Sequence, residues 1–208
     1  MNAVQRLKGK TACVGGLLLA GLSAAGCGAG SRPTHGQRTA QVVDSAVPVD
    51  TALARFRKDL EAPAELTGGA KTLDGLIGRF VTLLELGDTA GLHALTITKE
   101  EFAFLYYPTV PESRPPYELG PGLMWFLIDG ASWRGLAAAL VERGSRPLGY
   151  VGYACPEAPR MLGANRLWPL CVVQRVQGPA DTLAERLFGP VLERGGRFKF
   201  VSLANKVS

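Results

Sequence analysis

Few side chains in the folded part of the sequence can do acid–base chemistry. His93 is the one histidine there, and as a base it needs a neighbouring carboxylate and a concave site. Glu101 and Asp129 are the carboxylates to weigh with it. On a short, half-buried helix, a histidine such as His93 is more often a satisfied packing residue. Ser132 sits in Gly130-Ala131-Ser132-Trp133-Arg134-Gly135, which departs from G-x-S-x-G and falls inside a helix rather than on a strand-to-helix elbow. The chain has no H-E-x-x-H, P-loop or strand-linked G-x-G-x-x-G. No catalytic residue, metal site or cofactor is therefore assigned; heme, zinc and nucleotide are unsupported.

Binding chemistry has better candidates. Glu101, Tyr106, Tyr107, Arg114, Tyr117, Glu118 and Trp125 crowd one stretch of sequence. Aromatics with a few charges beside a proline-stiffened loop could line the mouth of a pocket. The simpler reading, and the one favoured, is that the aromatics are core, with Glu101 capping a helix and Arg114 fastening the loop. Asn165-Arg166 could recognise a carboxylate or phosphate, or tie a neighbouring loop to a sheet. Arg194-Gly195-Gly196-Arg197-Phe198-Lys199-Phe200 mixes cations with aromatics, a pattern that suits nucleic acid. Alternation places Phe198 and Phe200 on a core face and leaves the basic residues as a solvated face.

The charge balance bears on that choice. The 208 residues carry 23 Lys and Arg against 18 Asp and Glu, a formal +5. Residues 1–26 contribute Arg6, Lys8 and Lys10 and no acid, so the remainder holds 20 basic against 18 acidic residues and is close to neutral. Basic residues ahead of an apolar, Gly-rich run from about Thr11 to Gly26, too short to span a bilayer, have the form of an export signal. An exported chain rarely meets nucleic acid, and no nucleic-acid partner is expected.

The run ends in Ser23-Ala24-Ala25-Gly26-Cys27, which resembles the lipobox of bacterial lipoproteins, with Ala24 where a Leu is usual. The resemblance implies a signal peptide over residues 1–26, lipidation of Cys27 and a membrane partner through that lipid. The location is then the cell envelope, facing the periplasm or the outside. Gly28 in place of an inner-membrane retention Asp favours the outer membrane. Cys13 leaves with the signal, and Cys155 and Cys171 remain as two thiols in an oxidising compartment, where a disulfide is expected.

These groups need elements to position them. Residues 27–50 have no sustained apolar period and read as a tether, with His35 idle in it. Leu53, Phe56 and Leu60 predict a short amphipathic helix over 51–61, with a linker to residue 67. Leu73, Leu76, Ile77, Phe80, Val81 and Leu84 form one helical stripe, capped by Thr72 and stopped at Gly87. Asp88 caps a further short helix, and Thr98-Lys99-Glu100-Glu101 is a capping box opening another, which Pro108 ends. Pro121 suits the first position of a long helix running to Gly144. Four strands follow: Leu148–Tyr153, Leu167–Val176, Leu183–Glu193 with a break at Gly189-Pro190, and Arg197–Leu203. Gly195-Gly196 turns the last pair.

Helices first and an antiparallel sheet second predict an α+β domain over residues 68–208. That element order, with the Leu-Leu-Glu-Leu-Gly-Asp ending of the first long helix, resembles the NTF2-like (cystatin-related) superfamily. It implies helices packed on a curved four-stranded antiparallel sheet, a cone. Thr98–Pro108, Arg114–Trp125 and Gly163–Trp168 are also similar to a group of bacterial lipoprotein-type proteins, a likeness that implies no activity. NTF2-like domains serve as enzymes, ligand binders and dimerisation modules. The expectation is a lipid-anchored, non-catalytic domain for a small ligand or an envelope protein. The alternatives are an envelope enzyme with a carboxylate or His93 as base, and a structural homodimer.

Overall fold

The computed structural model of the protein describes residues 47–178 and 181–204. The export signal, Cys27 and His35 lie outside the described residues. The first helix, α1 (Val49–Arg57), begins two residues ahead of the predicted start and ends earlier. Its Phe56 meets Phe102 edge-on at 5.8 Å, and the Arg57 guanidinium donates two hydrogen bonds to the Ala103 carbonyl at 3.1 and 2.8 Å.

Helix α2 (Leu73–Leu86) starts where the Thr72 hydroxyl accepts the Gly75 N–H and stops at Gly87, whose φ of 69° only glycine adopts freely. Helix α3 (Thr89–Ala94) is capped by Asp88, which accepts the Gly91 N–H at 2.8 Å. Helix α4 (Lys99–Glu101) carries both halves of the Thr98–Glu101 capping box. The chain then widens into a π-helical turn over Phe102–Tyr106 and tightens into a 3₁₀ turn over Tyr107–Thr109. The long helix α5 (Pro121–Arg143) opens on Pro121. It docks closely on the C-terminal segment. Ser132 accepts the Leu203 N–H, and a side chain at Gly135 would lie 1.9 Å from the Leu203 carbonyl oxygen.

Among the described residues the strands number seven rather than four. They are β1 (Tyr150–Ala154), β2 (Arg160–Leu162), β3 (Asn165–Trp168), β4 (Val172–Val176), β5 (Thr182–Glu185), β6 (Val191–Arg194) and β7 (Arg197–Phe200). They form two antiparallel sheets, β1-β4-β5 and β2-β3-β6-β7. The run expected as one strand over 167–176 divides at Pro169, and the one over 183–193 is interrupted over residues 186–190, a wider gap than the expected break at Gly189-Pro190. In each case the halves join different sheets. The fold is therefore α+β, with a three-stranded and a four-stranded sheet.

Cys155 and Cys171 form the expected disulfide. They directly follow the Ala154–Val172 pair of the β1–β4 ladder, so the bridge clamps one end of the smaller sheet. At another edge of that sheet Glu185 binds Arg143 of α5 and Arg175 of β4. Burial alone would raise the Glu185 pKa, but hydrogen bonds and charge from the two guanidiniums outweigh it and hold the carboxyl below its ordinary value.

The larger sheet is covered on both faces where β6 and β7 pair, while Arg160, Met161 and Arg166 of β2 and β3 are exposed. Val191 and Phe200 face a core built with Leu76, Phe80 and Phe188. Leu192 faces a second core of Leu66, Phe102, Tyr106, Tyr107 and Met124. This corrects the expectation of a solvated basic face. Lys199 stands opposite Leu192 in the ladder and is 2% exposed. The free edge of β7 is also occupied: Ala70 pairs with Phe198, and Ile97 donates its N–H to the Phe200 carbonyl at 2.9 Å.

Candidate functional site

Glu101 is the point where the helical half and the larger sheet meet. The capping box fixes its backbone, and its side chain then accepts four hydrogen bonds. Thr67 donates its backbone N–H and its hydroxyl to Oε1 at 2.6 and 3.1 Å. Oε2 accepts the Thr98 N–H at 2.8 Å and the Lys199 ammonium at 2.7 Å. Both members of the ion pair are buried. An unpaired charge there would carry a large desolvation cost, so each ion requires the other.

Beside this pair opens a cleft of about 370 Å³, lined by Thr67, His93, Thr98, Lys99, Trp125 and Lys199 among others. The Trp125 ring packs 5.3 Å from Phe102 and forms an aromatic wall. The Lys99 ammonium lies 5.0 Å over the Phe56 ring. At the rim His93 stacks on Trp133 at 4.3 Å, and its Nε2 is 4.0 Å from Asp129 Oδ1. No carboxylate is among the lining residues, while Lys99, a histidine and threonine hydroxyls are, together with Lys199, whose charge Glu101 already matches. The surface suits an anion with an apolar part.

The expected pocket residues are dispersed. Glu101 stands behind the cleft, bonded to Lys199, and Trp125 lines it. Tyr106 and Tyr107 are core residues. The Tyr107 hydroxyl donates to the Leu119 carbonyl at 2.7 Å. Burial raises the pKa of both phenols, with Glu112 adding to the effect on Tyr106 and Asp50 on Tyr107. Arg114 and Tyr117 line a separate hollow of about 290 Å³ with Thr109, Met161 and Gly163. Arg114 also fastens its loop by donating to the Pro108 carbonyl at 3.3 Å. Arg166 lies on the larger sheet, 3.5 Å from Glu193 and over the Trp168 ring.

Asn165 is a tie, but to another partner than the disulfide loop. Its amide donates to the Leu105 carbonyl at 2.8 Å and the Thr109 hydroxyl at 2.9 Å, and its carbonyl accepts from Arg194. Ser132 is buried against Leu203. Sequence reasoning missed Lys99 and Lys199. The available signal for Lys199 was a lone cation inside an apolar β-run, with an acidic capping box elsewhere to receive it. Among the described residues no group of three His, Cys, Asp or Glu is placed to hold a metal ion. No family model, curated protein or solved structure matches the chain.

Proposed function

We propose that the chain is a lipid-anchored protein of the cell envelope, held by Cys27 and using its α+β domain to bind a small anionic ligand without transforming it. The observation that carries the binding half is the cleft, with Trp125 as wall, Lys99 as cationic edge, His93 at the rim, and no acid in its lining. Glu101 supports a non-catalytic reading, because its carboxylate already accepts four hydrogen bonds and its charge is matched by Lys199. The anchoring half rests on the basic, apolar and small-residue order that ends at Cys27. An NTF2-like relationship is part of the proposal, supported by helices that precede a four-stranded antiparallel sheet.

Two experiments test the halves separately. Labelled fatty acid is expected on the wild-type chain and absent from Cys27→Ala; equal labelling removes the anchor. Benzoate, as a probe with one carboxylate and one ring, is expected to change tryptophan emission saturably and to lose that effect in Lys99→Glu. An unsaturable or absent response removes the cleft. A second reading, an envelope enzyme, is favoured by the approach of His93 to Asp129 at the cleft rim. It requires that His93→Gln abolish a turnover that the wild-type protein performs.

A further inference from the structure

Helix α5 is apolar on both sides. Its inward face carries Met124, Leu136 and Ala139 into the cores. Its outward face presents Leu123, Phe126, Leu127, Trp133 and Val141, which are all exposed; Phe126 is 71% exposed and Val141 83%. These positions recur at helical spacing, so they form one stripe, about 27 Å long at ~1.5 Å per residue. Exposed apolar surface gathered on one helix face marks an interaction site. Among the described residues no helix is long and apolar enough to cross a membrane, so α5 could lie on a bilayer but not span it.

We propose that this face docks on the surface of an anionic lipid bilayer; the inference rests on the lipid-anchored reading above. Three observations select that occupant. The first is where the chain comes from. Val47 lines an apolar groove with Phe56, Pro121 and Leu123 at the start of α5. It lies only 20 positions after Cys27, a fully extended reach of roughly 70 Å at most. A lipid on Cys27 confines the domain near the bilayer, where a weakly binding face becomes effective. The second is charge. Arg134 is the one ionisable side chain on the stripe, and Arg55 flanks the groove beside Leu123; both suit anionic headgroups. The third weighs against a second copy. The Arg134 guanidinium folds over Gly130, near the middle of the stripe. A two-fold axis there would bring it toward its own copy, with the carboxylates of α5, Asp129 and Glu142, beside the stripe rather than on it. At a membrane the same side chain can reach up to the headgroups while Phe126 and Trp133 sit among the upper acyl chains.

The test uses the full chain, purified from membranes and reconstituted in vesicles of phosphatidylethanolamine and phosphatidylglycerol with brominated acyl chains. Trp125, Trp133 and Trp168 are the only tryptophans, so emission reports on the domain and not on the anchor. Bromine is expected to quench part of that emission. Trp133→Phe should remove the quenchable part. Leu127→Asp, at an exposed position, should restore emission to the level in unbrominated lipid while the protein still floats with the vesicles. Emission indifferent to bromine, or quenching that survives Leu127→Asp, overturns the proposal. A dimer that Leu127→Asp dissociates, without quenching, overturns it in favour of a second copy. Fatty-acid labelling of the same preparation keeps the two readings apart. Label without quenching removes the docking alone, whereas absence of label removes the anchor and with it the basis for docking.

Discussion

At the base of the cleft Glu101 is 1% exposed and accepts four hydrogen bonds, one of them from an equally buried ammonium. At the rim His93 and Asp129 approach only to 4.0 Å, and more than a third of each side chain is open to solvent. The same residue classes, a carboxylate and a base, thus have opposite availability a short distance apart. A buried charge must be fully partnered to persist, so it has nothing left to give a substrate. A half-solvated pair holds its geometry weakly and can exchange partners at small cost. Base residues should therefore control folding, and rim residues should control binding.

The sharpest way to break that division is Glu101→Ala. It strands the Lys199 ammonium, removes the capping box and frees Thr67. The expected loss is about 3–5 kcal/mol, a large share of a domain's stability, read as the urea midpoint. A change below ~1 kcal/mol would mean the base is not the keystone described here. Opening the Cys155–Cys171 bridge by paired serine substitution comes next. In the chain-entropy model a loop of this separation, 16 residues, contributes ~3 kcal/mol, and the loss should fall on the smaller sheet and leave the cleft intact.

A pH effect distinguishes a third region. The Glu185 carboxyl is held below its ordinary value of 4.5 despite its burial, because of its hydrogen bonds to Arg143 and Arg175. The stability it confers is present above that ordinary value and is lost as pH falls through the depressed folded pKa. Glu185→Gln should flatten the stability profile in that acid range and leave it unchanged at neutral pH in shape. The smallest structural effect is expected at the rim: His93→Ala should alter stability by within ~0.5 kcal/mol while weakening benzoate binding.

The local devices of this fold were legible from sequence. Thr72, Asp88, the Thr98–Glu101 box, Gly87 and Pro121 each act within a few residues of themselves, and each bounds its helix where expected. Sheet membership was not, because it depends on partners far along the chain. Leu167–Val176 reads as one apolar run, yet Pro169 ends its first half, and the second half pairs with β1 instead. The β2–β3 hairpin was missed although Gly163, at φ 62°, marks its turn. The choice between pocket and core stayed open in the sequence for a related reason. Tyr106, Tyr107 and Trp125 are aromatic whether they line a cleft or fill a core, and the π-helical turn and 3₁₀ turn between Phe102 and Thr109 send the two tyrosines inward. Alternation with one buried face sends Lys199 to solvent, whereas this sheet has a core on each side of the β6–β7 pair.

The division between base and rim, and the cleft's role, meet in one experiment: benzoate titration of the full chain in lipid nanodiscs, followed by ¹H–¹⁵N chemical shifts. Saturable shifts are expected at the Trp125 indole N–H and at the backbone of Thr67, Thr96, Thr98 and Lys99, abolished by Lys99→Glu. Absence of a saturable shift at Trp125, or shifts centred on the Arg114–Tyr117 hollow, would contradict the cleft's role.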